Sequence, residues 1–359
     1  MTEKAIKSLE AWDLVKTMLS SMTEAVVADA ETEPELLEGL RVLGRVTALA
    51  SEVALDGDPE RPWLFSMDTP ARYVGGPNPD GEYFLAMISG RHRYRVHGWR
   101  GTTAYLGFQV LAGVGLTPRR MAAHVSDRDL SLDPDGAFAF VLSADRPGDL
   151  DGATWVQIPE DASALVIREY IGDRAAERLA ELHIDPLDDS GPPAPLTDEQ
   201  LAEQLTSWAW TIAKLATLHR TIKPELLDLP NQLVTAAAAD LGAADTTPDN
   251  LYMIGTFRLQ PGECLELEIQ PPESRYWSVT LENIWHECLE PRRRRSSMTH
   301  ASAVQDGDGK VRVRIAAEDP GTANWLDTGG RHRGFVILRW LDNPEAPAVA
   351  TRLVTGAHA

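Results

Sequence analysis

The sequence predicts a mainly β protein of the α+β class: jelly-roll or β-sandwich-like regions, with an N-terminal helical segment and a helical linker. Three observations predict it. Apolar residues recur at helical spacing over residues 1–58. Short runs of period two, broken by Pro, Gly, Asn and Asp, fill residues 59–190 and 251–359. Between them, residues 191–250 begin with a proline-rich stretch and continue into one more amphipathic helix.

The first helix is read from Leu14, Val15, Met18, Leu19, Met22 and Val26. A second opens at Thr32, with Pro34 in its first turn and Glu35 placed to complete a capping box; Leu36, Leu40, Leu43 and Val46 share a face. After Pro59 the pattern shortens. Pro77-Asn78-Pro79-Asp80-Gly81 is a turn, and strands are expected at 83–88, 94–99, 104–111, 138–142, 155–158 and 165–171. Gly191-Pro192-Pro193-Ala194-Pro195 marks a linker. Thr197 caps a helix with Leu201, Leu205, Trp208, Ile212 and Leu215 on one stripe, and a further helical stretch is expected from Leu233 to Leu241. From Leu251 the alternation returns: Leu265, Leu267 and Ile269 against Glu266 and Glu268, then Val311, Val313 and Ile315 against Arg312 and Arg314. Asp306-Gly307-Asp308-Gly309 reads as a hairpin turn; a calcium loop would need a distal Glu that is missing. Phe335 to Leu341 is nearly continuous and is expected to be a central strand.

With 359 residues the chain exceeds one ordinary core, and 43% hydrophobic against 25% charged residues is the balance of a folded protein. A net charge of −20 opposes nucleic acid and anionic membrane surfaces as partners. The two cysteines, Cys264 and Cys288, make no disulfide framework, and no run of 18 residues is apolar enough to span a bilayer. A cytoplasmic location is expected.

The common catalytic and cofactor signatures are missing. Gly113-Val114-Gly115 opens like a dinucleotide loop but meets Pro118, and there is no P-loop, no G-x-S-x-G and no H-E-x-x-H. Neither a cofactor nor a metal is expected.

Three clusters remain. Glu282-Asn283-Ile284-Trp285-His286-Glu287 ends an expected strand; His286 suits a general base, with Glu287 or Glu282 to orient it and Asn283 and Trp285 to touch a substrate. The alternative is a solvated strand end with a satisfied histidine. Pro291-Arg292-Arg293-Arg294-Arg295-Ser296-Ser297 suits a carboxylate or phosphate, with Arg295 as the anchor, unless the guanidinium groups pair with the protein's own carboxylates. The turn-rich segment 319–330 offers Asn324, Trp325 and Asp327, an amide, a flat wall and a carboxylate, or else a structured turn anchored by Trp325.

Asn78-Pro79-Asp80 with Tyr83, Tyr94-Arg95-Val96-His97-Gly98, Tyr276-Trp277-Ser278-Val279, Arg295-Ser296-Ser297, Asp319-Pro320-Gly321, Asn324-Trp325-Leu326-Asp327-Thr328 and Gly334 together resemble the bacterial family known as domain of unknown function 1214, over roughly residues 60–355. The resemblance implies a jelly-roll-like fold. It implies no reaction, since fold does not carry function.

Two readings follow. In the first, an enzyme acts without metal on a small anionic or sugar-like molecule in a cleft between the two β regions. His286, Glu287 and Asp327 form its acid/base set, and Arg295, Asn283, Trp285, Asn324, Trp325 and Tyr83 hold the substrate. In the second, the protein binds a ligand or partner without turnover. Either is compatible with a homo-oligomer.

Overall fold

The computed structural model describes residues 6–113, 119–221, 229–236, 246–343, 345 and 347–355. The 113–118 motif therefore lies, beyond Gly113, outside the described residues, as does 237–241 of the expected last helix.

Helices α1 (Lys7–Asp29), α2 (Glu33–Ala54) and α3 (Asp198–Ala216) pack as one layer. Their stripes meet where expected: Val15 against Leu205 and Ala209, and Val26, Val42 and Val46 against Ile212. Thr197 and Gln200 form a full capping box at the start of α3. At α2 only half of one forms. Thr32 Oγ1 accepts from the Glu35 N–H at 3.4 Å, but the Glu35 carboxylate accepts from the Glu31 N–H at 2.7 Å and turns to Arg333.

The β elements fall into two sandwiches. The first contains β1 (Phe65–Ser66), β2 (Gly81–Met87), β3 (Tyr94–Trp99), β4 (Tyr105–Ala112), β5 (Arg120–Ser126), β6 (Ala137–Ser143), β7 (Thr154–Gln157), β8 (Ala162–Tyr170) and β9 (Glu181–Pro186). The second contains β10 (Leu233–Ala236), β11 (Asn250–Arg258), β12 (Glu263–Ile269), β13 (Trp277–Glu282), β14 (Ser297–Thr299), β15 (Val311–Ala316), β16 (Trp325–Asp327), β17 (Arg333–Leu341) and β18 (Val349–Thr355). The five-stranded sheets run β1-β2-β8-β4-β5 and β10-β11-β17-β13-β14; the four-stranded sheets run β7-β6-β3-β9 and β16-β15-β12-β18. The second set repeats the first strand for strand, down to the single parallel pairing in each, β6 with β7 and β15 with β16. The fold is an internal repeat, and the sequence reading did not detect it.

Each sandwich has its own core, made by the alternation read from sequence. On β12, Leu265, Leu267 and Ile269 enter the core; Glu266 and Glu268 point to the opposite face, Glu266 buried between Arg314 and Arg352 and Glu268 half-exposed beside Arg312. Each such buried Leu or Ile stabilises by about 1.5–3 kcal/mol, while an exposed ion pair adds about 0–1 kcal/mol. The apolar faces therefore set the register.

The outer faces of the five-stranded sheets meet at a seam. Tyr83, Tyr105, Tyr170 and Tyr276 cluster there with Leu341, and Tyr170 stacks between Tyr105 and Tyr276 with ring centroids 5.1 and 5.3 Å away. Contacts across the seam include Asn78 Nδ2 donating to the Tyr276 hydroxyl at 2.6 Å and the Tyr105 hydroxyl donating to Asp249 at 3.1 Å.

Two expectations are corrected. Leu233–Ala236 is a strand, β10, because it ladders with β11 from Leu233 opposite Gly255 to Ala236 opposite Tyr252. The Asp306–Gly309 turn is real, with the Gly309 N–H donating to the Asp306 carbonyl at 2.9 Å, but β14 and β15 on its two sides lie in different sheets, so it is not a hairpin.

Candidate functional site

The end of β13 and the turn after it, Asn283–Glu287, sit where the second sandwich meets the helical layer and the loop before β2. The turn is tight because the Asn283 side-chain oxygen accepts from the N–H groups of both Trp285, at 3.0 Å, and Glu287, at 3.1 Å. His286 takes a left-handed backbone, φ 56°, which costs a bulky side chain strain. Its carbonyl accepts from the N–H groups of Gly75 and Gly76 at 3.0 and 2.9 Å, and both glycines use positive φ to present them.

The turn sends its side chains in different directions. His286 Nδ1 lies 2.7 Å from Glu282 Oε2, and its ring lies flat on Phe335 with centroids 4.1 Å apart. Glu282 is fully buried, and its second oxygen has no hydrogen-bond partner. The nearest cation to it is the buried Arg339, 3.9 Å away, which also donates to Thr280 Oγ1 and to the Gly76 carbonyl. Glu287 does not orient His286: it is buried and receives Arg45 and Arg41 of α2. Trp285 is buried beneath α2 and donates its indole N–H to the Glu35 carbonyl at 3.0 Å. Asn283 Nδ2 faces Glu287 and Glu38.

Beside this turn lies a cavity of about 330 Å³, half open to solvent. Its apolar walls are Phe257, Ile284 and Phe335; its polar walls are Asp29, His219, Arg258 and Arg333. His219, in the short turn after α3, has Nε2 2.7 Å from Asp29 Oδ2 and stands edge-on to Trp285 at 5.0 Å. Arg220 grips the same carboxylate with two bonds, at 2.7 and 2.8 Å. Burial works to raise the Asp29 pKa, but the hydrogen bonds from Arg220 and His219 outweigh it and hold the carboxyl below its usual range. For His219 burial wins, and its pKa is lowered despite Asp29. In its neutral form His219 donates Nε2–H to Asp29, which leaves Nδ1 as its base nitrogen.

The remaining candidates lie elsewhere. Asp327 receives Arg294 at 2.9 Å, Arg295 donates to the Ala323 carbonyl, the Asn324 amide bonds the Val304 backbone in both directions, and the Trp325 indole donates to the Ala316 carbonyl at 3.1 Å. These contacts brace the edge of a four-stranded sheet, and none of the four residues lines the cavity. Tyr83 is in the seam, its hydroxyl accepting from the Asn78 N–H at 2.9 Å. His219, Asp29 and Phe335 were missed by sequence reasoning. Asp29 ends α1 and His219 follows α3, 190 residues on, and no local spacing joins them. Among the described residues no group of His, Cys, Asp and Glu has metal-site geometry, and no helix is long and apolar enough to cross a membrane.

The comparisons agree with this architecture. The crystal structure of a putative uncharacterized protein from Burkholderia cenocepacia superposes with a TM-score of 0.91 at 29% identity, covering 99% of this chain and all of that one. The VPA0106 protein from Vibrio parahaemolyticus shares the fold alone: TM-score 0.51 at 12% identity, covering 87% of this chain and 97% of that one. No curated protein matches. One family model matches twice, at 86–173 and 258–345, once in each sandwich. Over both of those segments the chain is similar to the family described as protein of unknown function DUF1214.

Proposed function

We propose that the protein binds a small organic acid in the cavity beside the 283–287 turn, with His219 as the acid/base group at its wall. One observation carries the reading: a His–carboxylate pair, His219–Asp29, forms part of the wall of a cavity that joins apolar and cationic side chains. Phe257, Ile284 and Phe335 suit a flat or short apolar body. Arg258 and Arg333 supply positive charge at the rim. Both pair with Glu31, and Arg333 also with Glu35. The Arg258–Glu31 pair is exposed and worth about 0–1 kcal/mol, so a ligand carboxylate can share that guanidinium at little cost.

The reading is tested by thermal-shift titration with pyruvate, lactate, benzoate and inorganic phosphate. A carboxylate at a hundred times its dissociation constant adds about 2.7 kcal/mol of stability. The expected result is a shift with one or more carboxylates that is lost in His219→Ala. Silence across all four probes, or a shift that survives His219→Ala in full, overturns it. Turnover separates the two classes of function: an enzyme loses it in His219→Gln while still binding, whereas a binding protein has none to lose. The buried free thiols of Cys264 and Cys288 support a reducing, cytoplasmic setting for either.

A further inference from the structure

The internal repeat provides a control for what the fold itself requires. In the first sandwich β4 pairs with β8, from Tyr105 opposite Tyr170 to Leu111 opposite Ala164. In the second, β13 pairs with β17, and the position matching Leu111–Ala164 is Glu282–Phe335. One copy of the fold fills this ladder site with two apolar side chains. The other places a fully buried carboxylate there and stacks a strained histidine beside it. Burying a carboxylate is costly unless it is well matched. Here one oxygen has only the His286 ring and the other has no hydrogen-bond partner. Folding does not ask for this arrangement.

The geometry points to a use. His286 Nδ1 is held by Glu282, and among the described residues Nε2 makes no hydrogen bond. The His286 ring is buried and is not itself one of the lining residues, but it lies on Phe335, a wall of the cavity; Ile284, two residues earlier, is another wall; and Trp285, between them, contacts His219. We propose that His286 is a second acid/base group of the same site, so that a ligand anchored through its carboxylate meets two histidines with its other polar end. The ligand class is then a small hydroxy or keto acid. This rests on the cavity being a ligand site.

The test is imidazole NMR on the full chain titrated with pyruvate and lactate, with His219→Gln and His286→Asn assigning the signals. Asn tolerates the left-handed backbone, so His286→Asn keeps the turn. The inference predicts that the ring signals of His219 and His286 move along one saturation curve, and that His286→Asn weakens binding by about tenfold, the size of one hydrogen bond to a charged group. Movement of His219 alone, with binding unchanged in His286→Asn, overturns the inference and leaves the cavity reading standing. If neither signal moves, both fall.

Discussion

Asp68 shows how far one buried group departs from solution behaviour. It lies in the segment between β1 and β2, and burial, reinforced by Glu82 and opposed by Arg72, raises its pKa to about 8. One of its oxygens is buried without a hydrogen-bond partner. A carboxyl raised this far is neutral in the fold below pH 8, but ionised in the unfolded chain above about pH 4. Its contribution to stability is therefore complete below pH 4 and is lost progressively as pH rises to 8. Asp68→Asn cannot ionise. The melting temperature of the wild type should fall relative to Asp68→Asn between pH 5 and pH 8; parallel curves would show that Asp68 is ionised in the fold. Such residue-scale features are only partly legible from sequence. The crowding of His286 with Glu282 and Glu287 at a strand end was read from sequence with Glu287 as the preferred partner, whereas the structure places Glu282 on the imidazole. The His219–Asp29 pair was not read, because its members are joined only by the packing of α1 against α3.

At the scale of elements, α2 packs directly on the 283–287 turn, beside the cavity. Gly39 makes this contact: a Cβ there would lie 2.6 Å from Val26 and 2.7 Å from Trp285. Neither neighbour is the free end of a flexible chain, so Gly39→Val must lift α2. We expect it to destabilise by about 2–3 kcal/mol, as overpacking does, and to expose Trp285. A melting curve with tryptophan fluorescence checks both; an unchanged emission maximum would contradict the close contact. Element type was legible wherever period and capping agreed, as at Thr197 or along β12. It failed at Leu233–Ala236, where the alanines that follow favour a helix and long-range pairing with β11 outweighs that local preference.

At the scale of the whole molecule, the two sandwiches, their seam and the helical layer are one assembly, and the candidate site is built where the second sandwich meets the helices. The β-sandwich class was legible because period two needs only apolar side chains. The repeat was not, because equivalent strands keep patterns rather than identities: the matching ladder site is Leu111–Ala164 in one copy and Glu282–Phe335 in the other. Kept residues do exist. Tyr83 faces Arg168, and Tyr252 faces Arg339, at equivalent ladder positions. They are too few and too far apart to stand out in one sequence. The departures from the repeat are what mark the site.

The central claim is that the cavity beside His219 and Phe335 takes a small organic acid. The most direct measurement is a crystal structure of the protein soaked with pyruvate. The account predicts density in the cavity, its carboxylate toward Arg258 or Arg333 and its other oxygen within hydrogen-bond reach of His219. An empty cavity at saturating pyruvate, lactate and benzoate, or the acid bound only at another place, would contradict it.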